Sequence, residues 1–315
     1  MILLNQRTKM KTLLKRSVWM LPLMTALSVI SPSMAVDKGI VMDFGAVDTL
    51  KALGKEDSIS ALPIQNLPTY LSDLDLKDIQ NSGGMKSPDL AVFAELKPQF
   101  IVISPRLGGR VDELSEYGKV LNFTVDSDNY AQSVATNILA LAELVDAESE
   151  AKASLDALNG KLDQVRAEIA QSPETALVMI HNDGHYMATP TSGTAKFIHQ
   201  FLGVKNAAPE AAQPTEQDKD ARPARQAVDE AYLNNIQPDL IFVVDRSGAI
   251  GQTPMDQSLF ESNVVSKATN KEGKAIKVVY LDPTLWYLSG NGLISIEKQA
   301  NEILSALKAS SSSTQ

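Results

Sequence analysis

Between residues 147 and 171 the apolar positions are Ala147, Ala151, Leu155, Leu158, Leu162, Val165 and Ile169, separated by steps of three or four. That period places all seven on one face of an α-helix. Glu148, Glu150, Lys152, Asp156, Lys161, Asp163, Arg166 and Glu168 fill the opposite face, which is expected to be solvated. At 1.5 Å per residue such a helix would run roughly 37 Å. Asn159-Gly160 is its weak point, where a bend is possible.

The segments on either side of this helix repeat one another at an offset of 140 residues. Lys97-Pro98-Gln99-Phe100-Ile101-Val102-Ile103-Ser104-Pro105-Arg106 corresponds to Gln237-Pro238-Asp239-Leu240-Ile241-Phe242-Val243-Val244-Asp245-Arg246, and Asp89 and Ala91 correspond to Asp229 and Ala231. Each copy reads as a short helix, a turn, an uninterrupted apolar strand and an arginine just past the strand end. Continuous apolar strands suit a parallel sheet covered on both faces. A second strand follows in each half, at Lys119–Val125 and Ile276–Leu281. The fold class expected is α/β, with two similar Rossmann-like lobes joined by one long α-helix. The boundaries are an N-terminal lobe at 36–145, the connecting helix at 146–171, a C-terminal lobe at 172–309 and a disordered tail at 310–315.

The remaining pattern fills in each lobe. A strand at Gly39–Phe44 precedes a helix at Val47–Leu53, and Ile59–Pro63 reads as a short strand. Asn66–Ser82 is turn-rich and suits a loop at a cleft mouth. Asn129–Val145 reads as a helix, Thr175–Ile180 as a strand and Ala195–Leu202 as a helix. Asn206–Arg225 lacks periodicity and is expected to be a long irregular loop. Leu293–Leu307 is the last helix.

Residues 1–35 differ from the rest. Arg7, Lys9, Lys11, Lys15 and Arg16 precede an apolar run from Val18 to Ile30, then Ser31-Pro32-Ser33-Met34-Ala35. That is the layout of a secretory signal cut after Ala35, and the run is short for a membrane span. Without it the chain has 24 basic and 38 acidic residues, a net charge of −14. Such a surface argues against nucleic acid or anionic membrane as a partner. The chain has no cysteine, hence neither disulfides nor a lipidated cysteine at the cleavage site. A soluble monomer in the periplasm, not membrane-anchored, is the expectation.

Three places could carry chemistry. His181 and His185 have metal-ligand spacing, but Asn182-Asp183-Gly184 makes a turn between them, so solvated loop histidines are expected. No Gly-x-Ser-x-Gly elbow or phosphate loop occurs, and Ser289-Gly290-Asn291-Gly292 ahead of the last helix is a weak anion signal on its own. An enzyme is therefore not expected, and an exported α/β enzyme is the alternative from another class. The third place is the pair of strand ends carrying Arg106 and Arg246, with Trp286-Tyr287. In open α/β sheets ligands bind at the carboxyl ends of the strands. The arginines could bind an anion there and Tyr287 could offer a hard oxygen to Fe(III). Alternatively, the arginines pair with local carboxylates such as Asp245, and Trp286 and Tyr287 belong to the core.

At Val243-Val244-Asp245-Arg246 and Tyr280-Leu281-Asp282-Pro283-x-x-Trp286-Tyr287-Leu288-x-x-x-Gly292-Leu293 the chain resembles the periplasmic ferric-siderophore-binding proteins of the catecholate type, which take enterobactin-like and vibriobactin-like ligands. Val41–Leu50 and Leu96-Lys97-Pro98…Ile103-Ser104-x-Arg106 are similar too. The resemblance implies the helical-backbone binding-protein fold, capture of a ferric catecholate siderophore between the lobes and delivery to an inner-membrane ABC importer, with no cofactor. It implies that Arg106 and Arg246 hold catecholate oxygens, and that Tyr287 reaches the iron where the siderophore leaves a coordination site open. Some relatives carry a histidine where this chain reads Ala221-Arg222-Pro223-Ala224-Arg225, so Arg222 and Arg225 are the candidate contacts there. A third family arginine near Gly193–Lys196 is replaced by Lys196 as the nearby cation. The permease-docking positions fall at Ala91 and Ala231, with Asp89 and the Asp229-Glu230 pair as neighbouring stand-ins. Haem or a corrinoid is the alternative ligand within the same fold.

Overall fold

Residues 37–208 and 226–312 are described in the computed structural model. The expected leader, most of the 206–225 loop with Arg222 and Arg225, and the last three residues lie outside the described residues. The first half contains β1 (Gly39–Met42), α1 (Phe44–Ala52), β2 (Ile59–Leu62), β3 (Gln80–Asn81), β4 (Gly83–Gly84), β5 (Ser87–Pro88), α2 (Leu90–Leu96), β6 (Phe100–Ile103), α3 (Val111–Ser115) and β7 (Lys119–Asn122). Its main sheet has the order β3-β2-β1-β6-β7 with every pair parallel. The central strands β1 and β6 are buried on both faces. Val41 and Val102 pack into one core, while Ile40, Met42, Ile101 and Ile103 pack into another on the far side. That is why these strands are apolar without alternation.

The chain leaves this sheet through α4 (Tyr130–Glu143) and α5 (Glu148–Ile169). All seven residues of the apolar stripe from Ala147 to Ile169 are buried, against the last helix and α4. Burying each of its three leucines is worth roughly 1.5–3 kcal/mol. The helix continues through Asn159 and Gly160 without interruption.

The second half contains β8 (Thr175–Asn182), β9 (His185–Ala188), α6 (Gly193–Lys196), β10 (Lys205–Asn206), β11 (Gln226–Ala227), α7 (Glu230–Ile236), β12 (Leu240–Asp245), α8 (Arg246–Ala249), α9 (Gln257–Asn263), β13 (Lys277–Tyr280), α10 (Pro283–Tyr287) and α11 (Leu293–Ser312). Its sheet runs β11-β9-β8-β12-β13, with β10 beside the start of β8. The β8, β12 and β13 pairings are parallel, and β9 folds back antiparallel. Asp183 (φ 51°) and Gly184 (φ 74°) make the two-residue turn between β8 and β9, a hairpin that demands positive φ twice. The helix expected at Ala195–Leu202 is present, beginning as α6 and widening into a π-helix over Phe197–Phe201.

The 140-residue repeat is physical. Asp89 caps α2 by accepting from the Ala91 N–H, and Asp229 caps α7 by accepting from the Tyr232 N–H. Lys97 (φ 45°) and Gln237 (φ 48°) close these helices in the left-handed conformation, and a proline follows each. Strands β6 and β12 then begin at matching positions.

One expectation fails at the C-terminus of the sequence pattern. The tail expected from Ser310 is still helix as far as Ser312, because Ser310 is buried, its carbonyl accepts from Lys277 Nζ and its hydroxyl donates to Glu174. α11 bridges the two halves: it packs along α5 and against α1, while Glu302 accepts from Trp286 and the Ser310 carbonyl accepts from Lys277.

Candidate functional site

Arg106 and Arg246 leave the carboxyl ends of the central strands β6 and β12. Tyr287 comes from α10, whose start is dictated by sequence: Asp282 accepts from the Thr284 and Leu285 N–H groups, and Pro283 takes the first helical position. Leu285 and Trp286 turn into the core, which leaves Tyr287 half-buried at the helix end.

The three residues meet. Arg246 Nε donates to the Tyr287 hydroxyl at 2.7 Å, and a second nitrogen of the same guanidinium donates to Asn182 Oδ1. Arg106 donates to the Tyr287 carbonyl at 2.5 Å. Each guanidinium carbon lies 5.4 Å from the centre of the Tyr287 ring, within cation–π range. The space beside them is a cavity of about 530 Å³ lined by Lys86, Ile180, Asn182, His185, Met187, Arg246 and Tyr287. It adjoins one of about 200 Å³ reached by Asn66, Met85, Lys86, Arg106 and Ile250. Both halves of the chain contribute walls. A larger cavity, about 760 Å³, runs along the edge strand β13, away from both arginines; chemistry, not volume, selects the site.

Among the described residues neither arginine forms a salt bridge with a carboxylate. Asp245, the expected local partner, is committed elsewhere. It accepts from the Gly248 and Met255 N–H groups and sits 2.7 Å from Nδ1 of the buried His181. Burial pushes the Asp245 carboxyl up, but these hydrogen bonds outweigh it and hold the group below its ordinary value. His181 Nε2 accepts from the Gly184 N–H, so Nδ1 carries the proton toward Asp245. His181 is thus a core residue, not the solvated loop histidine expected; His185 is exposed and faces the cavity. The Arg106 charge acts on Asp43, the cap of α1. Burial raises its carboxyl to about 6, against a lowering by the Ala46 N–H and by the Arg106 charge.

The other sequence candidates fall outside this cluster. Trp286, expected beside the ligand, is buried, donates to Glu302 at 2.6 Å and packs edge-on against Phe197. Lys196 is paired with Asp128 at 2.5 Å. Asp89 and Asp229 are exposed helix caps and Glu230 is exposed beside them. Sequence reading missed Lys86, Asn182 and His185. Lys86 lies in the Met85-Lys86 turn between β4 and β5, and the other two flank a hairpin turn whose histidines were expected to be solvated.

A two-lobed α/β chain with cations converging on a cleft at its strand ends has the architecture of a ligand-capturing binding protein. The chain belongs to the periplasmic binding protein family, whose model matches residues 40–285. It is 32% identical over 274 residues to the petrobactin-binding protein YclQ of Bacillus subtilis, spanning 86% of this chain and 82% of that one. The solved structure of YclQ superimposes with a TM-score of 0.76, covering 87% and 92% of the two chains. The iron-uptake ABC transporter substrate-binding protein PiuA of Streptococcus pneumoniae, also 32% identical, gives 0.73 over 85% and 92%. The ferric-anguibactin-binding protein FatB of Vibrio anguillarum is 24% identical over 84% of this chain and 80% of its own.

Proposed function

We propose that this protein captures a ferric siderophore with catecholate arms in the cleft and delivers it, after export, to an ABC importer. The observation that carries the proposal is the tyrosine hydroxyl held by a guanidinium that pairs with no carboxylate among the described residues, while a second guanidinium lies on the same ring. Ferric catecholates are anionic and flat-armed, so guanidinium donors, a cationic Lys86 and an aromatic face match their chemistry. The relatives named for petrobactin, anguibactin and iron uptake support the same class. Tyr287 is the candidate iron ligand where the siderophore leaves a position open, on displacement of the Arg246 hydrogen bond. Arg222 and Arg225, outside the described residues, remain candidate contacts.

Trp286 adjoins Tyr287 in the chain, and the only other tryptophan is Trp19 in the expected leader, so Trp286 is the single intrinsic tryptophan of the leaderless protein, one residue from Tyr287. Titration of the leaderless protein with a ferric tris-catecholate, a ferric bis-catecholate, a ferric hydroxamate and haemin tests the proposal. Saturable quenching by the catecholates is the expected result. Saturation by haemin alone would replace it with haem transport, and saturation by the hydroxamate alone would remove the catecholate assignment.

A further inference from the structure

The turn that follows Tyr287 is docked on the first half of the chain. Ser289 begins that turn, and its backbone presses against α1 so closely that a Cβ on Gly45 would lie 2.1 Å from the Gly290 carbonyl oxygen. One on Gly292 would lie 2.1 Å from the Gly45 carbonyl. Backbone meets backbone, so neither side can yield cheaply. The first turn of α11 is then capped from α1. Asp48, fully buried, accepts from the Ile294 N–H at 3.0 Å and the Ser295 N–H at 3.1 Å, and Thr49 Oγ1 accepts from the Leu293 N–H.

Tyr70 ties this arrangement to the segment bearing Tyr287. Its hydroxyl donates to Asp48 at 2.9 Å and is hydrogen-bonded to the Ser289 hydroxyl, two residues beyond Tyr287. The adjacent Thr69 holds the other end of α10, through Asp282 and Thr284 at 3.1 Å each. Neither Tyr70 nor Asp48 lines the cavities that Tyr287 faces. We propose that Tyr70, acting through Ser289 and anchored on Asp48, is a positioning residue that fixes where Tyr287 stands in the cleft. The consequence for affinity rests on the siderophore reading of the cleft; the positional claim does not.

Tyr70→Phe removes the hydroxyl and keeps the ring. With 3-fluorotyrosine at position 287, the ¹⁹F resonance of the ligand-free protein is expected to shift or broaden in Tyr70→Phe and in Ser289→Ala, and not to change further in the double variant. Affinity for a ferric bis-catecholate, which leaves iron coordination open to Tyr287, should fall about fivefold, the scale of one lost hydrogen bond. Affinity for a ferric tris-catecholate should change less than about twofold. An unchanged resonance with an unchanged affinity ratio, even if thermal stability falls, would overturn the proposal and leave Tyr70 a structural residue. If the wild-type protein binds no siderophore the functional reading fails, while the resonance still decides the position of Tyr287.

Discussion

Arg106 and Arg246 stand at matching places in the two halves, yet they are held and used differently. Arg246 follows Asp245, which is locked by His181 and by two backbone N–H groups. Arg106 follows Pro105, where the repeat has lost the carboxylate, and the neighbouring Ser104 hydroxyl is buried without a hydrogen-bond partner among the described residues. Arg246 spends its guanidinium on side chains, the Tyr287 hydroxyl and Asn182, whereas Arg106 spends its own on a main-chain carbonyl. The repeat places a cation at each strand end, and the residue before it decides how firmly that cation is aimed.

The comparison breaks most visibly in ligand affinity. Arg246→Ala removes a cleft cation and the only described donor to the Tyr287 hydroxyl, and should weaken ferric-catecholate binding about 100-fold by calorimetric titration. Arg106→Ala should cost about tenfold, and equal losses would mean that the two strand ends are equivalent after all. Stability gives a smaller contrast. Asp245→Asn sets an amide against the Met255 or Gly248 N–H, and should lower the urea-unfolding free energy by about 1–2 kcal/mol, whereas Pro105→Ala should cost under about 1 kcal/mol. Because the Asp245 carboxyl titrates below its ordinary 3.8, its contribution is present above that pH and is lost as pH falls through the lower folded value. The gap between wild type and Asp245→Asn should therefore narrow below about pH 4 and stay constant near neutrality.

The smallest effect concerns Asp43, whose carboxyl is raised to about 6 beside Arg106. As pH falls through that value the acid takes up a proton and Arg106 is less neutralised. Affinity for an anionic ligand should rise by about twofold between pH 7 and 5.5, and Asp43→Asn, which keeps the cap of α1, should flatten the profile.

Periodicity and the 140-residue repeat were legible because burial imposes them: the stripe on α5, the continuous strands β6 and β12, and the terminal arginines all follow from local pattern. α10 carried its own signal in Asp282-Pro283, a cap followed by proline, but its short length gives no period to read. The placement of Trp286 behind Tyr287 was not legible, since one step along a helix turns a side chain about 100° and only packing against Phe197 and Glu302 selects the direction. The same holds for His181 and His185, which a tight hairpin sends one into the core and the other to the cavity. Lys86 has no pattern to mark it and joins the site through tertiary structure alone. The docking of α11 on α1 is also nonlocal, because Asp48 and Ser295 are far apart in sequence.

The most direct measurement is the visible absorption spectrum of the ferric bis-catecholate complex in wild-type protein and in Tyr287→Phe. A tyrosine oxygen entering the iron's open position would shift the ligand-to-metal charge-transfer band on binding in the wild type, and the shift would be absent in Tyr287→Phe while the complex still binds. An identical band in both proteins, at unchanged affinity, would contradict the role given to Tyr287 and with it the reading of the arginine pair as the frame of an iron-siderophore site.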